Sequence, residues 1–326
     1  MRWEIITIKW RYLILLALVI LIFPACMACA SKVPETVVFP DKNLEEAIRG
    51  ALDKPAEKAI TPAELAGLTV LPARELRITD LSGIEYCTNL TELDLDFNQI
   101  SDLSPLSSLT SLEILRLHDN QISDISPLAS LSNLKYLQID VNQINDLSPL
   151  STLTNLNWAH LGANQISDLS PLSSLINLDY LNLGPNQISD LSPLSSLTNL
   201  RALRLFGNQI SDLSPLSSLA NLERLTLQTN QIRDISPLVS LTKLRVLMLA
   251  NNQISDISPL SSLINLRQLT LEYNQISDIT PLVENSGLSN GDDITLAGNN
   301  LDLSEGSEDL ENIRILEERG VTISYY

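Results

Sequence analysis

The sequence of 326 residues has few of the side chains and motifs that enzymes use for catalysis. His118 and His160 are its only two histidines and therefore its only imidazole general bases. The sequence contains no glycine-rich phosphate loop, nucleophile elbow or zinc-protease motif. We therefore expect a non-catalytic protein that carries no catalytic residues and uses no cofactor.

Basic residues are also scarce. Lysine and arginine number 21 against 39 aspartates and glutamates, so the formal net charge is −18 at pH 7. Removal of residues 1–30 would delete three basic residues and one acidic residue and leave a charge of −20. Because an anionic surface of this size repels phosphate backbones and anionic lipid head groups, we expect no nucleic-acid partner and no membrane contact except through an N-terminal anchor.

Cysteine is nearly absent from the body of the chain. Beyond residue 30 only Cys87 occurs, at the position that Leu109 takes 22 residues later, so we expect a small buried apolar side chain. A disulfide with Cys26 or Cys29 would require the N-terminal segment to fold back. A catalytic role is disfavoured because no histidine lies close in the repeat register.

Long hydrophobic runs are absent except at the N-terminus. Arg2, Lys9 and Arg11 precede an apolar run of twelve residues from Tyr12 to Phe23. This run is short for a membrane span and suits a signal peptide. The sequence therefore predicts export to the cell envelope or secretion.

Residues 1–30 are interpreted as a signal peptide or lipoprotein signal, and residues 31–36 as a short tether. Ala28-Cys29-Ala30 fits ordinary signal cleavage. Phe23-Pro24-Ala25-Cys26 resembles a bacterial lipobox, which would give a lipid anchor. A retained N-terminal anchor is the third alternative, in which apolar residues from Ile5 join the span.

The dominant feature of the sequence is an internal repeat. One asparagine recurs at a fixed spacing of 22 residues, at nine positions: Asn98, Asn120, Asn142, Asn164, Asn186, Asn208, Asn230, Asn252 and Asn274. A period of this length predicts a stack of identical supersecondary units in place of a globular domain with one central core.

Each unit follows the pattern L-x-x-L-x-L-x-x-N-Q-I-S-D-L-S-P-L-S-S-L-T-N, seen most plainly from Leu200 to Asn221. This leucine-rich repeat pattern predicts an α/β fold, a curved solenoid with a parallel sheet on the concave face and short 3-10 or helical turns on the convex face. We expect the repeated asparagine to hydrogen-bond neighbouring coils as a buried ladder, and the serine of each S-P pair to cap the convex turn. In this register Asn186 points inward and Asn182 faces solvent.

The 22-residue period and the Q-I-S-D-L-S-P-L-S-S-L-T-N-L segment resemble the internalin family of bacterial surface proteins, over roughly Val37 to Leu282. The resemblance implies a helical N-terminal cap, a curved solenoid and recognition of a partner protein through the concave face. The repeats are not followed by a sorting signal of the L-P-x-T-G type, an immunoglobulin-like segment or a wall-binding module. We therefore do not expect this protein to have the host-invasion roles of the family.

Capping segments are expected at both ends of the repeats. Residues 37–75 are interpreted as a helical N-terminal cap. Its first helix is assigned to Phe39-Pro40-Asp41-Lys42-Asn43-Leu44 followed by Glu45 to Leu52, and a capping box at Thr61-Pro62-Ala63-Glu64 opens a second short helix. Residues 76–287 form the leucine-rich repeats. Residues 288–326 form a C-terminal capping repeat, which contains a strand at Ile294, a helix from Glu308 to Arg319 and a closing strand from Val321 to Tyr325.

The outward strand positions vary from repeat to repeat, whereas the convex segments scarcely change. Tyr136, Trp158 and Tyr180 share one column, which predicts an exposed aromatic ladder on the concave face. The expected partner-binding residues are Tyr136, Trp158, Tyr180, His118, His160, Arg204, Phe206 and Arg224. Drift at unconstrained positions and simple stabilisation of neighbouring strands are the alternatives.

A third alternative depends on Ala159, which stands where the repeat expects leucine. A local rearrangement of that strand would let the Trp158 indole fill the gap inside the core.

Charge is distributed unevenly along the predicted concave face. The N-terminal strands carry Glu92, Asp94, Asp96, Asp119 and Asp140, and the C-terminal strands carry Arg201, Arg204, Arg224, Arg245 and Arg267. This segregation favours an oriented protein partner. A glycan or cell-wall ligand is the alternative, in which the rings would stack on sugars and Gln138, Asn182 and Asp140 would supply polar groups.

Two sets of carboxylates are candidates for metal binding. The repeated aspartate, for example Asp102, lies beside the S-P turn, where it is expected to accept backbone N–H groups, with a calcium-lined edge as the alternative. Asp96, His118 and Asp140 share a column near His160 and could approach a divalent metal, but no other preorganised ligands are present. We therefore expect no metal site.

Overall fold

The computed structural model describes residues 34–326. The expected signal segment, its cysteines and the first residues of the tether lie outside the described residues. Within the described part, none of the helices combines the length and the apolar character that a bilayer-spanning segment needs.

One parallel sheet runs through the described residues, and its strands follow one another in chain order. Each strand has three residues. The strands are β1 (Val70–Pro72), β2 (Glu92–Asp94), β3 (Ile114–Arg116), β4 (Tyr136–Gln138), β5 (Trp158–His160), β6 (Tyr180–Asn182), β7 (Ala202–Arg204), β8 (Arg224–Thr226), β9 (Val246–Met248), β10 (Gln268–Thr270), β11 (Asp293–Thr295) and β12 (Thr322–Ser324).

The convex side carries short 3-10 turns opposite the strands. The first is Ile84–Tyr86, and eight five-residue turns follow at Ser104–Ser108, Ser126–Ser130, Ser148–Thr152, Ser170–Ser174, Ser192–Ser196, Ser214–Ser218, Ser236–Ser240 and Ser258–Ser262. A short helix, Thr280–Glu284 (α3), takes this place in the next coil. The structure thus confirms the predicted leucine-rich repeat solenoid.

The solenoid core is a continuous stack of leucine and isoleucine side chains. In each strand the central residue points inward, as Leu203 does in β7, while its neighbours lie on the concave face. Because equivalent residues in successive coils pair directly, inward residues pack on those one coil away, as Leu203 does on Leu181 and Leu225. No coil could bury its apolar side chains alone, so the stack is the folding unit.

The predicted asparagine ladder is present. Asn208 Oδ1 accepts a hydrogen bond from the Ile188 backbone N–H at 3.0 Å, and its Nδ2 donates to the carbonyls of Leu183 at 3.2 Å and Leu205 at 3.1 Å. One side chain therefore satisfies backbone groups of its own coil and of the preceding coil. The pattern continues as far as Asn299, whose Oδ1 accepts from the Ile276 N–H at 3.1 Å.

The expectation that Asn182 faces solvent is wrong. Its side chain lies on the concave side of β6, yet Asn182 is only 8% exposed. Its Oδ1 accepts a hydrogen bond from the Gly184 N–H at 3.2 Å, and its Nδ2 lies 3.5 Å from His160 Nδ1. Gly162 lies beside it in the preceding coil, where a Cβ would come within 2.2 Å of the Gly184 carbonyl oxygen and 3.5 Å of Asn182 Nδ2.

The convex turns are capped by aspartate and not by the serine hydroxyl. Asp102 Oδ1 accepts from the Ser104 backbone N–H at 2.8 Å and from the Ser104 hydroxyl at 2.6 Å. The Ser104 hydroxyl and amide lower the pKa of Asp102 below its usual value. This supports the structural interpretation of the repeated aspartate, which orders the turn before the proline.

Helices cover both ends of the stack. At the N-terminal end, Lys42–Ala51 (α1) is capped by Asp41, and Pro62–Leu65 (α2) begins with the predicted capping box of Thr61 and Glu64. Helix α1 lies within the segment from Phe39 to Leu52 that the sequence assigned to the first cap helix. The parallel sheet begins with β1, inside the segment interpreted as the cap.

At the C-terminal end, Glu308–Glu318 (α4) buries Ile313 and Leu316 against the core, and β12 pairs with β11. The helix and closing strand therefore agree with the sequence-based prediction to within about a residue. Cys87 is fully buried, as expected, and burial raises the pKa of its thiol to about 12.

The ladder predicts that alanine substitution of a ladder asparagine lowers the free energy of unfolding much more than substitution of a nearby asparagine outside the ladder. Asn208→Ala leaves the Ile188 N–H without a partner in the buried stack, at a loss of about 1–3 kcal/mol for an unsatisfied group. The Leu183 and Leu205 carbonyls each lose one bond and keep another, from Asn186 and Asn230. Asn199→Ala removes one exposed bond, to the Ile176 carbonyl, and should lower stability by about 1 kcal/mol or less. Urea unfolding of both variants measures the difference, and equal midpoints would contradict the role of the ladder.

Candidate functional site: the concave face

The sheet register places the predicted aromatic residues side by side. Tyr136 pairs with Trp158, and Trp158 pairs with Tyr180, on β4, β5 and β6. Ala159 is the inward residue of β5 and is 1% exposed. The indole therefore lies on the concave face and does not fill the core beside Ala159.

The three rings stack with their planes nearly parallel. The Trp158 and Tyr180 ring centroids lie 3.8 Å apart with an interplanar angle of 4°, and those of Tyr136 and Trp158 lie 6.0 Å apart at 14°. The His160 ring joins them, 5.9 Å from Trp158 and 4.9 Å from Tyr180. Side chains on neighbouring strands thus meet face to face along the direction in which the coils stack.

An arginine closes each end of this arrangement. The Arg116 guanidinium carbon lies 5.3 Å from the Tyr136 ring centroid, and that of Arg204 lies 5.5 Å from the Tyr180 centroid. Both distances suit a cation–π contact. We call Arg116, Tyr136, Trp158, Tyr180 and Arg204 the ring stack; its members come from five consecutive strands, β3 to β7.

The expectation of a freely exposed aromatic ladder is wrong. Tyr180 is 6% exposed, and Tyr136, Trp158 and His160 are half-buried. The rings and the flanking arginines cover one another's faces. The Trp158 Nε1 atom is buried and has no hydrogen-bond partner among the described residues. The ring stack therefore stabilises the sheet and leaves only ring edges and Arg204 for a partner.

Burial also shifts the protonation equilibria of the ring stack and its neighbour. Desolvation raises the pKa of Tyr180 and of Tyr136, in each case against the opposing effect of a nearby arginine. Desolvation lowers the pKa of His160, against the opposing charge of Asp140. Neutral His160 is therefore favoured at pH 7, which suits its packing against the Trp158 and Tyr180 rings.

His118 belongs to a polar group beside the ring stack. Its Nδ1 lies 2.8 Å from Asp140 Oδ2, and its backbone N–H donates to Asp96 Oδ1 at 2.7 Å. Its ring meets Phe97 edge-on at 4.7 Å. Burial raises the pKa of Asp96, the second oxygen of which lies 3.3 Å from Arg74. These carboxylates already have protein partners, and residues 34–326 contain no group of three or more potential ligands placed for a metal ion.

The two charged ends of the face differ in how their charges are paired. At the acidic end Glu92 pairs with Arg116, and Asp96 pairs with Arg74. At the basic end Arg204 and Arg224, the two predicted partner-binding arginines, have no carboxylate within 4.0 Å among the described residues. Both are exposed. The acidic end is thus partly neutralised within the protein, whereas these arginines are available to a partner.

A cleft of about 230 Å³ opens beside the ring stack. Its walls include Tyr180, Phe206, Val246 and Met248, and Arg204 and Arg224 also line it. Phe206 is 36% exposed. The structure therefore brings four of the eight predicted residues, Tyr180, Arg204, Phe206 and Arg224, to one cleft, while Tyr136, Trp158, His118 and His160 lie in the adjacent stack and polar group.

Sequence reasoning did not single out Val246 and Met248 as part of this site. Both occupy outward positions of β9, where an apolar side chain is not needed for the core. The sequence indicated their place in the site only through their position on the strand next to that of Arg224. A single apolar residue at such a position carries little information until the neighbouring strands are considered together.

The ring stack predicts that Trp158→Ala destabilises the protein, in contrast to the small effect expected for a fully exposed ring. Loss of two aromatic contacts should lower the free energy of unfolding by about 1–3 kcal/mol. Phe206→Ala, on the same face, is the control and should lower it by less than about 1 kcal/mol. Denaturant unfolding compares the two, and indistinguishable losses would show that the rings do not act as a stack.

The family of Leucine Rich repeats (2 copies) matches residues 68–108, 110–152, 154–196, 198–240 and 242–284. A solved internalin (inlF) from Listeria monocytogenes is 35% identical, with a TM-score of 0.76, over 91% of this chain and 93% of that chain. Internalin C2 from the same species is 43% identical over 65% of this chain and 94% of that chain, with a TM-score of 0.64.

The functional domain of InlJ from Listeria monocytogenes, which includes a cysteine ladder, is 25% identical over 88% of this chain and 60% of that chain, with a TM-score of 0.73. A search among curated proteins gave no match. The repeat match and the extended similarity to internalin structures agree with the 22-residue coils and the asparagine ladder. The chain therefore belongs to the leucine-rich repeat proteins and, among them, to the internalin family.

Proposed function

We propose that the chain is a non-catalytic binding protein that recognises a protein partner through its concave face. The observation that carries this proposal is the contrast between the two faces. Convex turns repeat almost unchanged around the same Asp-x-Ser-Pro sequence, while the concave positions form a ring stack, a cleft and arginines that have no ion pair within residues 34–326. Aromatic and arginine side chains of this kind dominate binding hot spots.

The ring stack favours a protein over a glycan as the partner. Carbohydrate recognition by aromatic residues uses an open ring face on which a sugar can lie. Here Trp158 is covered by Tyr136 and Tyr180, and the outer tyrosine faces are covered by Arg116 and Arg204. Ring edges, an apolar cleft and unpaired guanidinium groups suit the mixed surface of a protein.

We further propose that the chain is exported and stays at the cell envelope or is secreted. The basic residues and apolar run within residues 1–30 support export. Mass spectrometry of the mature N-terminus in the native host tests this. Lipidated Cys26 or Cys29 indicates a lipid anchor, and a free Ser31 indicates release. An intact Met1 in the cytoplasmic fraction would contradict export.

Site-specific photo-crosslinking tests the role of the concave face. A benzoylphenylalanine in place of Phe206 lies on the concave face, and one in place of Val239, which is 50% exposed, lies on a convex turn. With native envelope extract, we expect a discrete crosslinked protein from position 206 and none from position 239. The reverse pattern would contradict the proposal.

The substitution Phe206→Asp tests the same position as the crosslinker. It introduces a negative charge on the concave face and does not open a cavity in the core. It should weaken capture of the crosslinked protein by about 2 kcal/mol or more. A glycan array probed with the unmodified chain tests the carbohydrate alternative, and strong binding there with no protein crosslink would favour that alternative.

A further inference from the structure

The cleft beside the ring stack has an apolar interior and a basic rim. Phe206, Val246 and Met248 supply apolar and polarisable walls, and Arg204 and Arg224 stand beside them. We call these five residues the arginine-rimmed cleft. A cleft with this composition fits an apolar side chain that has a negative charge close to it in sequence.

The arginines of the rim lack the partners that other basic residues of this surface have. Arg201 lies 3.4 Å from Asp179, and Arg267 lies 3.2 Å from Asp292. Arg204, Arg224 and Arg245 form no ion pair within 4.0 Å in residues 34–326. Glu223 shares a depression with Arg224 and Arg245 but lies beyond that distance. In a chain with nearly twice as many acidic as basic residues, adjacent unpaired arginines are an exception.

Arg204 is also held in place before any partner arrives. Its guanidinium group lies over the Tyr180 ring at 5.5 Å from the centroid, while the residue remains exposed. Stacking restricts the orientation of the planar group and leaves its N–H edge free for a bidentate contact with a carboxylate. Less conformational entropy is then lost when a carboxylate binds.

Two polar atoms along the same cleft have no partner. Thr226 Oγ1 and Gln228 Oε1 are buried and form no hydrogen bond among the described residues. Gln228 Nε2 instead approaches the Met248 sulfur at 2.9 Å, a weak acceptor. Less than 1 Å² of each of these two oxygens is exposed, so they lie behind the cleft surface and the contacts of a bound segment are made by the arginines and the apolar walls.

We propose that the arginine-rimmed cleft binds an extended acidic segment of the protein partner, with one apolar side chain between Phe206 and Met248 and flanking Asp or Glu carboxylates on Arg204 and Arg224. This inference rests on the proposed function and specifies the chemistry of its partner. The unpaired arginines select negative charge, and the apolar walls select a peptide over a polyanionic sugar, which has no apolar side chain to bury. Because the net charge of the chain is strongly negative, an acidic segment is attracted to these arginines more than to the acidic end of the concave face.

Fluorescence polarisation with labelled decapeptides tests the proposal on the full chain. The probe peptide carries one phenylalanine between pairs of glutamates, and matched peptides replace the glutamates by glutamine, replace the glutamates by lysine, or replace the phenylalanine by alanine. We expect the glutamate peptide to bind at least tenfold more tightly than the glutamine and alanine peptides. The binding should weaken as the salt concentration rises.

Charge reversal at the rim provides the variant test. Arg224→Glu should weaken binding of the glutamate peptide at least tenfold and reduce its preference over the lysine peptide, since Arg204 remains opposite the new carboxylate. Arg233→Glu is the matched control, since Arg233 is exposed and donates to Gln253 away from the cleft, and it should leave the glutamate peptide bound as before. Circular dichroism melting curves check that both variants are folded.

Three outcomes would overturn the inference: equal binding of the glutamate and glutamine peptides, binding of the glutamate peptide weaker than about 1 mM, or an unchanged preference in Arg224→Glu. Tighter binding of an oligogalacturonate probe than of the glutamate peptide would assign the rim to an anionic glycan. If position 206 crosslinks a protein but these peptide results are negative, only the acidic-segment inference fails. If position 206 crosslinks nothing, the proposed function itself fails.

Discussion

The hydrogen bonds of the ladder asparagines hold each coil in register with the one before it. Asn208 joins the backbone of its own coil, at Leu205, to the preceding coil, at Leu183 and Ile188. A shift of one residue would break these bonds and turn the inward leucines of a strand toward solvent. The remaining features of the concave face depend on this register, because it places residues 22 apart directly beside each other.

Because this register places equivalent outward residues of successive strands side by side, they form continuous surfaces on the concave face. Tyr136, Trp158 and Tyr180 stack only because β4, β5 and β6 pair without offset. The same alignment brings Arg204 over the last ring and places Arg224 on the next strand. The ring stack thus serves two purposes: it stabilises the middle of the sheet, and it holds one arginine of the adjacent cleft in position.

The internal pairing of charges determines which end of the face remains available. Glu92 and Asp96 are satisfied by Arg116 and Arg74, so the acidic end offers a partner less uncompensated charge than its composition indicates. The arginines of the cleft rim have no such partners among the described residues. The protein is anionic as a whole, and its small unpaired cationic surface can therefore both attract an acidic ligand and fix the orientation in which that ligand binds.

The sequence was sufficient to predict the solenoid, the ladder and the columns of the concave face, since a strict period of 22 residues implies in-register parallel strands. It was not sufficient to predict side-chain burial on that face. Tyr180 is buried because a tryptophan ring lies 3.8 Å from it, and Asn182 packs against the Gly184 N–H and the His160 ring. Both depend on how neighbouring side chains pack against each other, which column membership does not reveal. The choice of Asp102 over Ser104 as the cap likewise depends on local turn geometry.

Hydroxyl-radical footprinting of the chain with and without its captured protein partner tests the central claim, that recognition uses the concave cleft, most directly. Phe206 and Met248 lie in the cleft, whereas the exposed Tyr273 and Val239 lie outside it. We predict that the partner slows oxidation of Phe206 and Met248 and leaves that of Tyr273 and Val239 unchanged. Protection of Val239 with no protection of Phe206 would show that the convex face binds the partner and would contradict this account.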